Sequence, residues 1–313
     1  MADVLLGTLE VSLPVFAMVF VGALLKRLGW IDQAFVNTAS SLVFKATMPT
    51  LLFLSILRAD PDMALNLGLV GFYLGVSTLA FGLIWLWALP RCPHDDRGVF
   101  VQGAFRGNCG IVGLALSASM YGDLGLSLGG IMAGAIIVLN LVLSAIVLAV
   151  YSPTVSSHPL AILRDVAANP LILGIVAALP LNYLGVQLPA WLMTSGDYLA
   201  SLSLPLALIC IGGGLSVSAA RQSSALSLEA SLWKVVLMPA LGILLALPLG
   251  FRGAELGILF LFLGSPSAAV AYVMARGAGA NATLAASIIV ISTLLSLLTI
   301  SAGLFTLTTF GLI

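Results

Sequence analysis

Residues 98–121, with the sequence GVFVQGAFRGNCGIVGLALSASMY, decide the fold, because they are apolar enough to cross a bilayer yet contain helix-weakening residues at their centre. Those central residues are Gly107-Asn108-Cys109-Gly110. A second apolar stretch, residues 253–276 (GAELGILFLFLGSPSAAVAYVMAR), contains Gly264-Ser265-Pro266-Ser267 at its own centre. Glycine weakens a helix, and serine followed by proline is typical of a helix start. Each stretch therefore predicts two half-helices that meet inside the membrane.

The composition of the whole chain indicates an integral membrane protein. Hydrophobic residues make up 61% and charged residues 8% of the 313 residues, and the mean hydropathy is +1.18, which is outside the range of a soluble domain. The 12 basic and 12 acidic side chains balance, and no stretch combines Lys and Arg with aromatic residues as a nucleic-acid surface does. We therefore expect an all-α protein whose partner is the lipid bilayer and not nucleic acid.

Ten apolar segments are long enough to cross about 30 Å of hydrocarbon as helices. No Lys or Arg precedes Lys26, so the first segment is interpreted as a retained span and not as a signal peptide. The predicted spans lie near residues 5–25, 34–57, 64–89, 98–121, 125–151, 166–184, 197–219, 230–250, 253–276 and 281–308.

The distribution of basic residues predicts the orientation of these spans. The loops of one side receive Lys26, Arg27, Arg91, Arg97, Arg164, Arg221, Lys234 and Arg276, and those of the other side receive only Arg58 and Arg252. Because cytoplasmic loops hold an excess of Lys and Arg, we expect a plasma (inner) membrane protein with both termini on the outer side.

An internal duplication is visible when the chain is shifted against itself by about 155 positions. It divides the chain into five-span halves at residues 1–151 and 166–313, joined by a cytoplasmic linker at 152–165. Because five is odd, the second half crosses the membrane in the opposite sense, which gives an inverted repeat typical of alternating-access transporters. The matching residues are Pro14 with Pro170, Leu28-Gly29 with Leu184-Gly185, Pro49 with Pro205, Arg97-Gly98 with Arg252-Gly253, and Gly122 with Gly277.

The interruptions of the fourth and ninth spans predict a site for an anion. Each interruption exposes backbone N–H groups at a helix N-terminus, where the positive end of the helix dipole attracts negative charge. Small residues that pack between neighbouring helices are the alternative interpretation, and the matched positions in the two halves favour the site. The candidate substrate-binding residues are Asn108, Cys109, Gly110, Ser265, Pro266 and Ser267.

Further polar residues lie deep in the predicted spans. Asn140 and Ser292 are equivalent in the two halves, and each is followed one turn later by a serine, Ser144 or Ser296. These residues either complete the site or form hydrogen bonds between helices.

Two cations are candidates for supplying positive charge to the site. Lys45 lies about 12 Å or more from either end of its helix, so it faces protein or water, where it either serves the substrate or pairs with Glu10 or Asp197. Arg106 precedes the first interruption and either binds a carboxylate through two hydrogen bonds or reaches the cytoplasmic surface.

Enzymatic chemistry has no support in the sequence, because no GxSxG, HExxH or P-loop motif occurs. Cys92, Cys109 and Cys210 are odd in number and not arranged as CxxC, which excludes a disulfide framework and a zinc site. The run Cys92-Pro93-His94-Asp95-Asp96 contains possible metal ligands but reads as a solvated turn. We expect no cofactor and no metal, whereas coupling to protons or sodium stays open.

At these residues the chain resembles the auxin efflux carrier family, which includes plant PIN-type transporters and bacterial carriers of malate or malonate. The family's first crossover reads Asn-x-Gly, two further residues, then Gly-Leu-Pro-Leu, and residues 108–116 match this pattern except that Ala115 replaces the proline. The resemblance spans essentially the whole chain. The second crossover and last span match through Pro266, Ala268, Ala275, Leu284-Ala285-Ala286-Ser287 and Ser292-Thr293-Leu294-Leu295-Ser296.

The resemblance implies a scaffold domain of spans 1, 2, 6 and 7 and a transport domain of spans 3–5 and 8–10, with the two crossovers meeting at the substrate site. It also implies an elevator-like movement and a distant similarity in fold to the bile acid:sodium symporters. Those relatives use acidic crossover residues for sodium, whereas Ser265 and Ser267 are neutral.

The expected function is secondary transport of a small organic anion, such as a dicarboxylate or an auxin-like acid, by a monomer or a homodimer. A membrane channel or sensor without alternating access is the alternative.

Overall fold

The computed structural model of the chain describes residues 2–59, 66–151, 164, 167–215 and 225–313. This part of the chain is almost entirely helical and contains no β-strand, only one isolated antiparallel bridge. The predicted linker at 152–165 lies outside the described residues except for Arg164.

The helices are named in chain order. They are α1 (Ala2–Arg27), α2 (Gln33–Arg58), α3 (Leu67–Arg91), α4 (His94–Phe105), α5 (Cys109–Tyr151), α6 (Pro170–Tyr183), α7 (Ala190–Gly214), α8 (Ala225–Leu249), α9 (Gly253–Gly264), α10 (Val270–Gly277) and α11 (Ala282–Thr309).

Seven helices within the described ranges are long and apolar enough to cross a membrane, namely α1, α2, α3, α5, α7, α8 and α11. Two shorter apolar helices, α6 and α9, accompany them. The predicted fourth span corresponds to α4 and the beginning of α5, and the predicted ninth span to α9 and α10. At 1.5 Å per residue, α4, α9 and α10 are each shorter than the hydrocarbon core. The chain is an all-α integral membrane protein.

Several helix boundaries differ from the sequence prediction for local reasons. Gly122, with φ of 56° and ψ of −131°, interrupts α5 and separates the predicted fourth and fifth spans. The predicted seventh span, 197–219, begins earlier, at Ala190, because Pro189 precedes the helix with an extended backbone. It ends at Gly214.

Leu28-Gly29 and Leu184-Gly185, which match in the duplication, adopt the same turn. Gly29 and Gly185 have φ values of 75° and 63°, the left-handed conformation that favours glycine at the end of a helix. In both turns the residue after the glycine donates its N–H to a carbonyl five residues before it, as Trp30 does to Leu25 and Val186 to Leu181. α1 and α6 therefore end alike.

Two helices contain a π-helical turn directly before a Met-Pro pair. The turns lie at Val43–Thr47 in α2 and Trp233–Leu237 in α8, and Pro49 and Pro239 follow them. Proline lacks an N–H and crowds the preceding turn, which explains why the regular hydrogen-bond pattern is disturbed there.

Lys234 is not a loop residue, and its assignment to the cytoplasmic side is wrong. It lies ten residues into α8, which begins at Ala225 and not at residue 230, and its side chain is 0% exposed. The predicted cytoplasmic side therefore has one basic residue fewer, and its other basic residues are unaffected by this correction.

The helices pack into two main buried clusters. The larger cluster joins α3, α4, α5, α8, α9 and α11 and includes part of α1, Leu208 of α7 and Ala275 of α10. The smaller one joins α2, α6, α7 and Leu114 of α5. Glycines allow two helix pairs to touch backbone to backbone: a Cβ on Gly212 of α7 would lie 1.8 Å from the carbonyl of Val19 in α1. A Cβ on Gly174 of α6 would lie 2.8 Å from the carbonyl of Pro49 in α2. Such contacts are typical of close helix crossings in membranes.

Candidate functional site

The two chain segments between half-helices lie against each other, antiparallel. The first segment (106–110) runs from the end of α4 into the first turn of α5, and the second segment (265–269) connects α9 to α10. Gly107 faces Ser267 across the contact. On one side of this pair the N–H of Asn108 donates to the carbonyl of Pro266 at 2.7 Å, and on the other the N–H of Ala268 donates to the carbonyl of Arg106 at 3.0 Å. We call this contact the crossing.

Gly107 occupies the most crowded position of the crossing. A Cβ at this residue would lie 2.7 Å from Ser265 Oγ, 2.8 Å from Cys109 Sγ and 2.9 Å from Lys234 Cε. These distances are shorter than a carbon atom accepts, so a side chain at this position would force the three neighbouring side chains to move. Gly110, three residues later, differs, since the nearest atom to its added Cβ is Ile137 Cδ1 at 4.0 Å.

Two serine side chains hold the second segment: Ser292 of the last helix and Ser265 of the segment itself. Ser292 Oγ accepts the N–H of Ser267 at 3.0 Å and donates to the carbonyl of Ile289 at 3.2 Å. Ser265 Oγ donates to the carbonyl of Phe262 at 2.8 Å. The hydroxyl of Ser267 is buried and has no hydrogen-bond partner within the described ranges. Ser292 therefore fixes the backbone of the segment instead of presenting a free hydroxyl.

Cys109 belongs to the interior of the crossing. Its thiol lies 3.0 Å from the hydroxyl of Tyr73 and 3.4 Å from Ser265 Oγ, and it donates to the carbonyl of Phe262 at 3.4 Å. Among the candidate residues, Cys109, Ser265 and Ser267 are thus packed inside the protein, whereas Asn108 and Gly110 are partly exposed.

Free backbone N–H groups are present at both helix starts. Those of Cys109, Gly110 and Ile111 have no acceptor among the described residues, because the first hydrogen bond of α5 is donated by Val112 to Asn108 at 2.9 Å. Ala269 and Val270 at the start of α10 likewise have no acceptor for their N–H groups in the described part of the chain. Both starts can therefore donate hydrogen bonds to a ligand.

Arg106 is a buried cation at the crossing. Its side chain is 6% exposed, so the alternative that it reaches the cytoplasmic surface is wrong. Its Nη1 donates to Ser144 Oγ at 3.0 Å and the Asn140 carbonyl at 3.3 Å, and lies 2.9 Å from the sulfur of Met274. Nε and Nη2 have no acceptor within the described ranges, where no carboxylate pairs with this guanidinium. A planar guanidinium with two open donors matches a carboxylate.

Two amide side chains near Arg106 are unbonded. Asn140 is buried and accepts from Arg106 only through its backbone carbonyl. Neither its side-chain amide nor that of Asn108 takes part in a hydrogen bond with another described residue. Each amide offers one acceptor and two donors to a ligand.

Lys45 lies apart from the crossing. Its side chain is exposed on α2, on the same exposed face as Asn37 and Ser41. Asp197, one of its two predicted partners, instead pairs with Arg58 at 2.8 Å. Among the described residues, no hydrogen bond or ion pair connects Lys45 to either interrupted segment.

Lys234 is a residue of the crossing that the sequence analysis missed. Its ammonium donates to the carbonyl of Leu263, near the end of α9, and its Cε would lie 2.9 Å from a Cβ on Gly107. The feature of the sequence that could have identified Lys234 as an interior residue is its position within α8, five residues before Pro239. Moving the start of that helix one turn earlier would have put the lysine in the interior.

Comparison with known proteins identifies the family of the chain. A family model described as "Membrane transport protein", that of the auxin efflux carriers, matches residues 8–302. A protein of Methanothermobacter thermautotrophicus is 27% identical over 306 residues, covering 95% of this chain and 97% of the relative. One from Methanocaldococcus jannaschii is 26% identical over 311 residues, covering 94% and 96%. Both relatives are described as uncharacterized transporters.

Proposed function

Because this membrane transport protein belongs to the auxin efflux carrier family, we propose that it is a secondary transporter of a small organic anion that works by elevator-type alternating access. The anion is a carboxylate, such as a dicarboxylate or an auxin-like acid. The observation that carries this proposal is the buried guanidinium of Arg106, whose Nε and Nη2 lack an acceptor in the described part of the chain. A buried cation without a counter-charge is costly, and an anionic substrate supplies that charge.

The proposed site lies around the crossing. The carboxylate accepts from Arg106 and from the free N–H groups at Cys109 to Ile111, where the dipole of α5 adds positive potential. The amides of Asn108 and Asn140 contact the remaining polar atoms of the substrate. Gly110 leaves space in front of the helix start. In this proposal the backbone N–H of Cys109 faces the substrate, whereas the side chains of Cys109, Ser265, Pro266, Ser267 and Ser292 shape the crossing and do not touch it.

The proposed architecture is a pair of inverted five-helix repeats, 1–151 and 166–313. Reciprocal packing supports it: α1 of the first repeat crosses α7, and α6 of the second crosses α2. The matched turns at Gly29 and Gly185 support it as well.

The moving and fixed parts follow from this architecture. The proposed scaffold consists of α1, α2, α6 and α7: the smaller buried cluster comes from α2, α6 and α7 except for Leu114 of α5, and a glycine contact joins α1 to α7. The larger cluster, built mainly from α3, α4, α5, α8, α9 and α11, forms the transport domain together with α10. We further propose a plasma (inner) membrane location with both termini outside and a homodimer formed through the scaffold.

Transport by purified protein in liposomes tests the proposal. When a panel of radiolabelled mono- and dicarboxylates is tested, we expect saturable uptake of at least one anion. The same anion, unlabelled and loaded inside the liposomes, should accelerate this uptake by counterflow. A channel would instead give flux that does not saturate, and a sensor would bind without flux. Asn108→Ala should lose most of the flux at unchanged expression. Normal transport by Asn108→Ala and Arg106→Met together would remove the crossing as the site.

A further inference from the structure

Lys234 joins the carbonyl end of α9 to the first interrupted segment. Its ammonium donates to the carbonyl of Leu263, the penultimate residue of α9. The last carbonyls of a helix have no partner within the helix, and they form the negative end of its dipole. An ammonium is therefore well suited to this position.

Side chains from three different parts of the chain cap two of the carbonyls at the end of α9. The carbonyl of Phe262 accepts from Ser265 Oγ at 2.8 Å and Cys109 Sγ at 3.4 Å, and the carbonyl of Leu263 accepts from Lys234. Cys109 belongs to the first segment, Ser265 to the second and Lys234 to α8. The lysine Cε lies beside Gly107, 2.9 Å from where a Cβ on that glycine would stand. Lys234 therefore lies between the end of α9 and the first segment.

The charge of Lys234 has no protein counter-charge in the described part of the chain. Each carboxylate whose side chain is described is at least partly exposed, and none pairs with Lys234. A cation is stabilised at the C-terminus of a helix, where unpaired carbonyl oxygens carry partial negative charge. The ammonium of Lys234 occupies this position at the end of α9.

We propose that Lys234 is a positioning residue that acts as a tethered cation of the crossing. Its ammonium holds the carbonyl end of α9 against the first segment and supplies the positive charge there, so that an anion binds without a metal cation. The statement about the anion rests on the proposed function, whereas the statement about capping does not.

Rescue by a small ammonium ion tests the capping. In Lys234→Ala, the thermal unfolding temperature of the detergent-solubilised full chain should fall by several degrees. Propylammonium chloride, which replaces the missing side-chain atoms, should restore at least half of the loss. Sodium chloride and N-methylglucamine chloride at equal concentration should not. Lys26→Ala is the matched control, since Lys26 also donates to a helix-end carbonyl, that of Gly213 at 2.6 Å, but at an accessible position.

The neutral variant Lys234→Met tests the charge and keeps the proposal testable if Lys234→Ala does not fold. Methionine preserves most of the side-chain volume, so we expect a folded protein with a lower unfolding temperature. Malonate and benzoate serve as probes of anion binding. If either anion stabilises the wild type, equal stabilisation of Lys234→Met should require an anion concentration about tenfold higher. Replacing all sodium with N-methylglucamine should leave the wild-type response unchanged.

The outcomes separate the two proposals. If Lys234→Met is as stable and as responsive to the probes as the wild type, or if the wild type needs sodium to respond, the tethered cation is wrong. If neither probe stabilises the wild type and no anion of the uptake panel is carried, the proposed function fails. The propylammonium arm then still decides whether Lys234 caps α9, because that measurement uses no anion.

Discussion

At the scale of single residues, Arg106 determines what the crossing can recognise. Within the described residues, the guanidinium uses Nη1 for the protein and leaves Nε and Nη2 without an acceptor, so these two groups can donate to both oxygens of a carboxylate. A lysine at the same place would keep the positive charge but would offer a point charge instead of a planar pair of donors.

We therefore expect Arg106→Lys to reduce uptake of the carried anion at sub-saturating concentration by about tenfold or more at unchanged expression. The loss should appear mainly in the Michaelis constant, because the substrate loses a paired contact. Arg97→Lys is the control, since Arg97 donates to the carbonyls of Cys92 and Leu89 outside the crossing. Equal kinetics in Arg106→Lys and wild type would exclude a two-point contact.

The two glycines of the first segment should respond differently to the same substitution. Gly107→Ala forces a Cβ to within 3 Å of three side-chain atoms, so a clearly lower unfolding temperature is expected. Gly110→Ala meets no atom closer than 4.0 Å and should unfold like the wild type, while its methyl group lowers uptake of the bulkier anions of a panel. Identical stability of the two variants would contradict the packing described at Gly107.

At the scale of elements, one hydroxyl of α11 keeps the second interruption in shape. Without Ser292 Oγ, the buried N–H of Ser267 would have no acceptor, and the neighbouring Ser267 hydroxyl already lacks one within the described residues. The interruption is therefore maintained by a contact from outside its own chain segment, and not by glycine and proline alone.

Ser292→Ala should lower the free energy of unfolding by about 1–3 kcal/mol, the cost of an unsatisfied buried donor. Thermal or denaturant unfolding in detergent measures it. Ser296→Ala, one turn later, removes a hydroxyl that donates only to the carbonyl of Thr293, so its effect should be smaller. A larger effect at Ser296 than at Ser292 would be inconsistent with this explanation.

The sequence predicts much of this element-level arrangement, and the exceptions have physical reasons. Gly107 and the Ser265-Pro266 pair mark the interruptions because glycine and proline act on the local backbone. Lys234 was missed because its role depends on a contact with α9, which no local pattern shows. Asn140 and Ser292 are equivalent in the alignment of the two halves, but their surroundings differ. The side-chain amide of Asn140 has no partner among the described residues, whereas the hydroxyl of Ser292 binds the backbone of Ser267.

At the scale of the whole molecule, the proposed movement requires that contacts between the two bundles break and re-form. Ser12 of α1 and Ser301 of α11 form one such contact, with hydroxyl oxygens 3.0 Å apart. Ser119 of α5 makes another, donating to the carbonyl of Val11 at 3.1 Å. Both connect α1 of the proposed scaffold to helices of the proposed transport domain.

A disulfide across the first of these contacts should stop transport. Cysteines in Ser12→Cys/Ser301→Cys are close enough to bridge, and oxidation should abolish uptake, with recovery after reduction. The native thiols should not interfere, since Cys92, Cys109 and Cys210 are buried and burial raises the pKa of Cys92 to about 11. Each single substitution is the control, and undiminished uptake by the fully bridged protein would exclude sliding at this interface.

The backbone pairing of Gly107 with Ser267 also restricts how a gene for such a protein can change in length. One codon added to either segment would shift the pairing by a residue and turn the side chains that follow away from their neighbours. Restoring the fit would require a compensating change in the opposite half, more than 150 positions away. Insertions should therefore be tolerated in the connections between helices, whereas an insertion in either segment of the crossing should prevent folding.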